Sequence, residues 1–495
     1  MIKKIKIKIN IFLKDPVISP IHAAIASGVY PLLYFYNSNF ILINSWRQFV
    51  FIFSIYILSP ILIFYLLKKI TQKINQKNNY IKYLIPALNS VWFVFLIILS
   101  TYGLKKKLLL LSMIISFCIG ALLYKHIKKI IVFQHLLSII VLFKLIPLLY
   151  DYITASDKWM EQPDTISQVI FKKRPNIYVI QPDGYANFSE LKKEHYNFNN
   201  EKFEQYLRNN NFKLYTDFRS NYTNTLTSNS SMFSMKHHYY NQPKKNNPLM
   251  RNWRNIIAGD NPVISIFKKN NYTTSLLLEK PYLLVNRPTL YYDHCNMDYK
   301  EIPILSRGFD IFKDLYSNLN QAIETNTNTA NFYFIEKMSP THITVRELNS
   351  KGRDKEREKY IEDIQLTNEW LSRTIDLIIE KDPNSLIVIV ADHGGYVGLN
   401  STSERQKILT EDYLVKSIFT SALAIKWPAE APEFDTKLKS SVNLFRILFA
   451  YLSENDAYLD YLQEDISYLI IREDSPFGVY QAINSNGNME YKIKD

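Results

Sequence analysis

The sequence predicts an α/β protein: a five-helix membrane domain at the amino end, then a domain built on a central, mostly parallel sheet. Three observations predict it. Five apolar stretches follow one another in the first third of the chain. Two later apolar runs of strand length stop at an acidic residue followed closely by glycine, at Asp183 and Asp392. Segments with apolar residues at helical spacing lie between such runs, and alternating strands and helices make a parallel sheet covered by helices.

The apolar stretches cover residues 17–36, 49–67, 83–104, 108–124 and 130–150. Each approaches the ~20 residues that cross a bilayer as a helix. Pro60, Pro86 and Pro147 fall inside some of them, which membrane helices tolerate. The basic start (Lys3, Lys4, Lys6, Lys8) resembles a signal peptide, but no small-residue cleavage site follows, so the first stretch reads as a membrane helix. Lysines set the orientation. The amino terminus, the loop with Lys68, Lys69, Lys73 and Lys77, and the loop with Lys125, Lys128 and Lys129 share one side if there are five spans, and that side is the cytoplasm. Only Lys105–Lys107 break the pattern. Everything after about Asp151 then lies outside the cytoplasm of a multi-pass membrane protein.

The net charge of +13 comes largely from these flanking lysines, and no zinc-finger or arginine-rich motif accompanies it, so nucleic acid is not an expected partner. The cysteines are Cys118, in an expected span, and Cys295. One extramembrane cysteine cannot make an intramolecular disulfide, so the outer domain must be held by its own core. The expected division is a membrane domain at 1–151, a linker at 152–172, an outer α/β domain at 173–455 and a tail or peripheral cap at 456–495.

In the outer domain, NIYVIQPDGYA (176–186) has a strand-like core, Ile177 to Ile180, ending near Asp183. NFYFIEKMSPTH (331–342) has a strand-like front half with His342 beyond its end. Tyr360, Ile364, Leu371, Ile375 and Ile379 give residues 358–379 an apolar helical face leading into LIVIVADHGG (386–395). That unbroken apolar run reads as a buried central strand. Ligands of open α/β sheets bind at the carboxyl ends of such strands, so Asp392 and His393 read as a pair of metal ligands in need of partners. The segment SNYTNTLTSNSSMFS (220–234) clusters hydroxyls, from Thr223, Thr225 and Thr227 to Ser228 and Ser234, before a helix-like run. It reads either as a solvated loop or as a source of a nucleophile, since a metal ion can favour a threonine alkoxide.

The order Asp183, hydroxyl loop, His342, Asp392-His393-Gly394 resembles the alkaline phosphatase and sulfatase superfamily. With membrane helices in front, it resembles two bacterial branches, the lipoteichoic acid synthases and the lipid A phosphoethanolamine transferases. TNTLTSNSSMFS is similar to the transferase nucleophile loop. NYTTSLLLEKPYLLVNR with the later GFDIF (308–312) is similar to a stretch of the synthases. The resemblance implies an alkaline-phosphatase-like α/β domain with Thr225 as nucleophile. It also implies one divalent ion, Mn²⁺ or Zn²⁺, on Asp183, Thr225, Asp392 and His393, and substrate contacts from His342 and Arg287. The implied activity moves a phosphoglycerol- or phosphoethanolamine-type group from a membrane phospholipid to a glycan or lipid acceptor through a phospho-threonine. A sulfatase-like phosphodiesterase or phosphatase acting on envelope polymers uses the same residues, and a degenerate glycan- or lipid-binding domain is the non-enzymatic alternative.

The chain departs from those branches in several places. Both carry glutamate where Asp183 stands. The synthases' histidine near Leu278 or Glu279 is absent, no histidine follows His393, and the transferases' disulfides are missing. No Asp-x-x-x-His pair for a second metal is present. No Cys/Ser-x-Pro-x-Arg motif is present either, which argues against the formylglycine route to sulfate esters.

Overall fold

The structure is a computed structural model and describes residues 2–14, 18–74, 80–238, 252–325 and 329–494. Residue 17 of the first expected span and Lys77 lie outside them. The chain divides into two compact units, Met1–Ala155 and Ser156–Asp495.

The first unit is helical. Three helices are long and apolar enough to cross a membrane: Trp46–Lys73, Ile81–Tyr102 and Tyr124–Ile153. The other two expected spans fall on Pro20–Asn39 and on Lys106–Leu122. The latter has 17 residues, which at about 1.5 Å per residue falls short of a ~30 Å hydrocarbon core. Pro20–Asn39 carries His22, Asn37 and Asn39. Length and composition therefore qualify three spans where the sequence led us to expect five. Inside the bundle, Asn89 Nδ2 donates to the Ala23 carbonyl at 2.7 Å, and the Gln134 amide donates to Asn89 Oδ1 at 2.9 Å. These bonds tie three helices together where unmatched polar groups would be costly.

The second unit holds a seven-stranded sheet: β1 (Ile177–Pro182), β2 (Phe212–Leu214), β3 (Thr273–Leu278), β4 (His294–Cys295), β5 (Asn331–Lys337), β6 (Leu386–Val390) and β7 (Leu423–Lys426), in the order β2-β7-β6-β1-β5-β3-β4. β6, β1, β5, β3 and β4 run parallel, and β7 is antiparallel to both its neighbours. The sheet is thus mostly parallel. β1, β5 and β6 are buried along almost their whole length, because helices cover both faces. Ile177, Val179, Phe332, Phe334, Leu386 and Val388 face one core, and Tyr178, Ile180, Tyr333, Ile335, Ile387 and Ile389 face the other. The last residues form a separate antiparallel sheet of β8 (Ser467–Ile471), β9 (Gly478–Ile483) and β10 (Met489–Ile493). Before β1, Trp159, Ile166, Val169 and Phe171 are buried in the core of the same unit.

Candidate active site

The site gathers at the carboxyl ends of three adjacent strands. β1 lies between β5 and β6, with Ile177 opposite both Phe332 and Leu386. Residues just past these ends must converge, and they are Asp183, His342 and the Asp392-His393 pair. Asp183, Asp392 and His393 are buried and offer ligand atoms within 4.8 Å of one another. Thr225 opens the helix Thr225–Ser234, which is buried from end to end. Its cap is Asn224, whose side chain accepts from the Thr227 amide.

The hydroxyls of that helix divide cleanly. Thr227, Ser228, Ser230, Ser231 and Ser234 each donate to a backbone carbonyl. Thr225 instead donates from Oγ1 to Asp183 Oδ1 at 3.2 Å. The cluster is neither a solvated loop nor a row of equivalent nucleophiles. One hydroxyl meets the carboxylates, and the others satisfy the buried backbone.

Asp392 Oδ1 accepts from the amides of Gly184 (3.0 Å) and His393 (3.1 Å). Asp392 Oδ2 accepts no hydrogen bond among the described residues. The His393 Nδ1 proton goes to the Gly394 carbonyl at 2.8 Å, so a neutral ring carries its lone pair on Nε2. That Nε2 lies 3.4 Å from Asp183 Oδ1 and 3.5 Å from Asp392 Oδ2. A lone pair facing two carboxylates calls for a cation between them, either a proton or a metal ion. With Thr225, the donors are three oxygens and one nitrogen, a set that suits Mn²⁺ or Zn²⁺. The bond of His393 to a carbonyl and those of Asp392 to two amides fix the orientation of both side chains, as a metal site would need.

The charges respond to this crowding. Burial pushes the Asp183 carboxyl up, but the hydrogen bond and charge of His393 outweigh it and hold the group well below the carboxylate range. Burial pushes Asp392 up to about 6, with Asp183 adding to it against the pull of His393. Burial would lower His393, but the two carboxylates raise it to about 9. His342 stands beside the group, its ring centroid 5.6 Å from that of His393. Its Nδ1 bonds the Ile343 carbonyl at 2.6 Å, and burial followed by the charge of His393 lowers its pKa.

Two glycines make the geometry possible. Gly184 has φ +70°, and a Cβ there would lie 2.2 Å from the Thr341 carbonyl oxygen. A Cβ on Gly395 would lie 2.3 Å from the Tyr360 ring. The Tyr360 hydroxyl donates to the Gly184 carbonyl and accepts from the Ala186 amide, bracing the turn behind Asp183. The Thr341 amide donates to the Asp183 carbonyl at 2.7 Å, which ties the His342 loop to the same turn.

The structure thus brings Asp183, Thr225, Asp392 and His393 together, with His342 alongside. Arg287 turns its guanidinium onto the carbonyls of Tyr299 and Ile302, both at 2.7 Å. Those contacts brace the 299–302 turn rather than engage the acidic group. Several residues around the site went unnoticed in the sequence. Gln181 and Asn229 exchange two amide hydrogen bonds of 2.7 Å between β1 and the Thr225 helix. Glu336, fully buried at the end of β5, has no hydrogen bond to either carboxyl oxygen among the described residues, and burial raises its pKa well above the ordinary value. Period-two reading would have found both, since Gln181 and Glu336 face the same core as Val179 and Phe334.

No protein-family model and no curated protein matches the chain. Solved structures do. The lipooligosaccharide phosphoethanolamine transferase A of Neisseria meningitidis, an integral membrane protein, is 12% identical over 88% of this chain and 96% of its own, with a TM-score of 0.41. The lipoteichoic acid synthase LtaP of Listeria monocytogenes is 14% identical over 66% of this chain and 90% of its own, with a TM-score of 0.41. The periplasmic domain of Escherichia coli EptC in complex with Zn is 12% identical over 64% of this chain and 96% of its own, with a TM-score of 0.42. Both bacterial branches that the motifs resemble are therefore represented among the solved structures similar to this chain.

Proposed function

We propose that this chain is a metal-dependent phosphotransferase of the bacterial envelope. It moves a phosphoglycerol- or phosphoethanolamine-type group from a membrane phospholipid to a glycan or lipid acceptor. The single observation that carries the reading is the aim of the Thr225 hydroxyl at the carboxylates of Asp183 and Asp392, beside His393, while its neighbouring hydroxyls bond the backbone. An ion held by Asp183, Thr225, Asp392 and His393 supplies Lewis-acid stabilisation of the nucleophile and of the developing phosphoryl charge.

Thr225 Oγ1 attacks the lipid phosphorus, the bond from phosphorus to the diacylglycerol oxygen breaks, and the threonine proton leaves with that oxygen. In the second half, an acceptor hydroxyl attacks the phospho-threonine, the bond to Oγ1 breaks, and the acceptor's proton restores the threonine. His342 is placed beside the group to contact phosphate or carry that proton. The position of Thr225 at a helix amino end favours the negative charge it would bear. If all five expected spans cross the membrane, the second unit lies on the side opposite the lysine-rich loops, outside the cytoplasm. Tethering then keeps the site at a high effective concentration of lipid donor.

The test is intact-protein mass spectrometry after incubation with phosphatidylglycerol or phosphatidylethanolamine. The wild type gains the mass of the head-group phosphate and Thr225→Ala does not. An adduct on Thr225→Ala, or none on the wild type, overturns the reading. Product analysis with and without a glycan acceptor then separates transfer from hydrolysis.

A further inference from the structure

We infer that the loop at 302–313 docks on a membrane, and that its occupant is the surface of a phospholipid leaflet containing anionic lipid. The loop follows β4, leads to the helix Leu315–Thr325 and includes the GFDIF run, which no step of the proposed reaction uses. Its large exposed apolar side chains are Leu305, Phe309 and Phe312, at 42%, 57% and 67% exposure. One such residue on a surface needs no explanation, but a group of them within one short loop, set among charges, marks an interaction surface.

These side chains are not exposed because the loop is loose. The Arg287 guanidinium holds the carbonyls of Tyr299 and Ile302 at its start. The Ser306 amide donates to the Pro303 carbonyl at 3.1 Å. Ser306 Oγ accepts from the Gly308 amide at 2.9 Å and donates to the Asp310 carboxylate. Gly308 has φ +93°, and a Cβ there would lie 2.7 Å from Tyr282 Cα, so the loop lies flush against that residue. Ile302 and Ser306 are buried, and Ile311 packs on the core. The Lys313 amide closes the loop on the Glu279 carbonyl at 2.8 Å. The fastened backbone thus turns its small and polar groups inward and holds the two phenyl rings and Leu305 outward.

The loop stands at the rim of the site. The Glu279 carboxylate accepts from the Met338 amide at 3.0 Å and pairs with Lys337 at the end of β5. The Lys337 carbonyl accepts from the Asp183 amide at 2.9 Å, so the loop is joined through Glu279 and Lys337 to the turn that carries Asp183. Its chemistry fits a leaflet. Phenyl and isobutyl groups enter the boundary between head groups and acyl chains, and basic groups beside them meet anionic head groups. Lys280 Nζ lies 5.7 Å from the centroid of the Phe309 ring, and Arg307, between Leu305 and Phe309 in the chain, is exposed. Three helices of the same chain are long and apolar enough to cross a membrane. A tethered loop needs only weak affinity of its own to stay on the leaflet.

The test is spin-label accessibility in the full chain in lipid nanodiscs, with Cys118 and Cys295 replaced by serine. Labels are placed on Phe309→Cys and Phe312→Cys. The control is Glu380→Cys, exposed in the last turn of the helix that precedes β6 and so at the opposite end of the sheet from the site. Collision with oxygen, which concentrates among acyl chains, is compared with collision with a water-soluble nickel chelate. In discs containing phosphatidylglycerol, the labels at 309 and 312 should meet oxygen more than chelate, and the label at 380 should show the reverse. The oxygen excess should shrink in discs of phosphatidylcholine alone, and likewise when Lys280→Gln and Arg307→Gln are combined. Chelate-dominated collision at 309 and 312 overturns the inference. Low collision with both reagents would mean that protein covers the loop, which overturns it too. An oxygen excess indifferent to lipid charge and to the two basic residues overturns the anionic assignment. The labels report whether or not a threonine adduct forms. Lipid contact without an adduct leaves the docking loop standing and removes the phosphotransfer reading, and an adduct without lipid contact does the opposite.

Discussion

Replacing Gly184 by alanine tests whether the backbone behind Asp183 sets the geometry of the site. Two costs follow from the structure. The first is conformational: at φ +70° an alanine pays roughly 1–2 kcal/mol that glycine does not. The second is contact. The new Cβ would meet the Thr341 carbonyl oxygen at 2.2 Å and the His393 ring at 3.3 Å, and the first is more than 1 Å short of van der Waals separation at about 3.5 Å. Thr341 cannot simply retreat, because its amide is bonded to the Asp183 carbonyl. Relief therefore breaks that bond, at about 1 kcal/mol, or moves Asp183 itself. Destabilisation of roughly 2–4 kcal/mol should accompany a loss in threonine-adduct rate on the order of 100-fold, the usual consequence of a 1 Å misplacement. Gly352 supplies the control, with φ +95° and nothing within 4 Å of its would-be Cβ, so Gly352→Ala carries the strain without the contact. The assay pairs thermal unfolding of the full chain in detergent with the adduct rate by mass spectrometry. If both variants lose the same stability and Gly184→Ala forms adduct at the wild-type rate, the turn does not position Asp183 and the reasoning fails.

Thr225→Ser keeps a hydroxyl at the head of the buried helix and should form a detectable adduct, whereas Thr225→Ala should form none; an inert serine variant would point to a role for the threonine methyl group. Asp392→Asn should weaken Mn²⁺ and Zn²⁺ binding by more than about 100-fold in titration calorimetry, since loss of an outer-shell partner alone costs 10–100-fold; unchanged affinity would remove Asp392 from the ligand set. Glu190 is buried against Lys193 at 2.8 Å and His195 at 3.1 Å. Burial pushes its carboxyl up, but those two neighbours outweigh it and hold it below the ordinary 4.5. A depressed native pKa stabilises the fold above pH 4.5, and that contribution drains away as pH falls through the native value. Glu190→Gln should therefore lower the unfolding temperature near neutrality and converge with wild type in acid, and a constant gap across that range would contradict the assignment.

The strands that carry the site were legible because they are buried on both faces. β1, β5 and β6 each read as an unbroken apolar run, and the residues ending them were the ones that met in space. Thr225 was less legible. Its hydroxyl neighbours look alike in sequence, and only the helix geometry shows that five of them bond carbonyls. β2 and β4 are three and two residues long, too short for any periodicity, and β7 runs against its neighbours, which an apolar tetrapeptide cannot announce. The three strands after residue 466 hid in a polar, aromatic segment: β8 and β9 are largely buried but short, and β10 has no buried residue. Tyr360 read simply as part of an apolar helical face, but its hydroxyl braces Gly184 across 176 positions of chain, a pairing that no local pattern encodes.

The departures from the resembling branches find a physical setting in this arrangement. Aspartate at residue 183 has one methylene fewer than glutamate, so the backbone behind it fixes its carboxylate more directly. That backbone is held by a glycine of positive φ, a tyrosine brace and a tie to the His342 loop, all on the Asp183–Gly184 turn. No histidine follows His393 in the chain, and a cavity beside His342 is lined instead by charged groups on one helix and the loop before it. Asp183, Asp392 and His393 sit just past the ends of buried strands, while the charged side chains near His342 are exposed lysines and glutamates. Substitutions of those exposed side chains should therefore leave the Asp183, Thr225, Asp392 and His393 group in place.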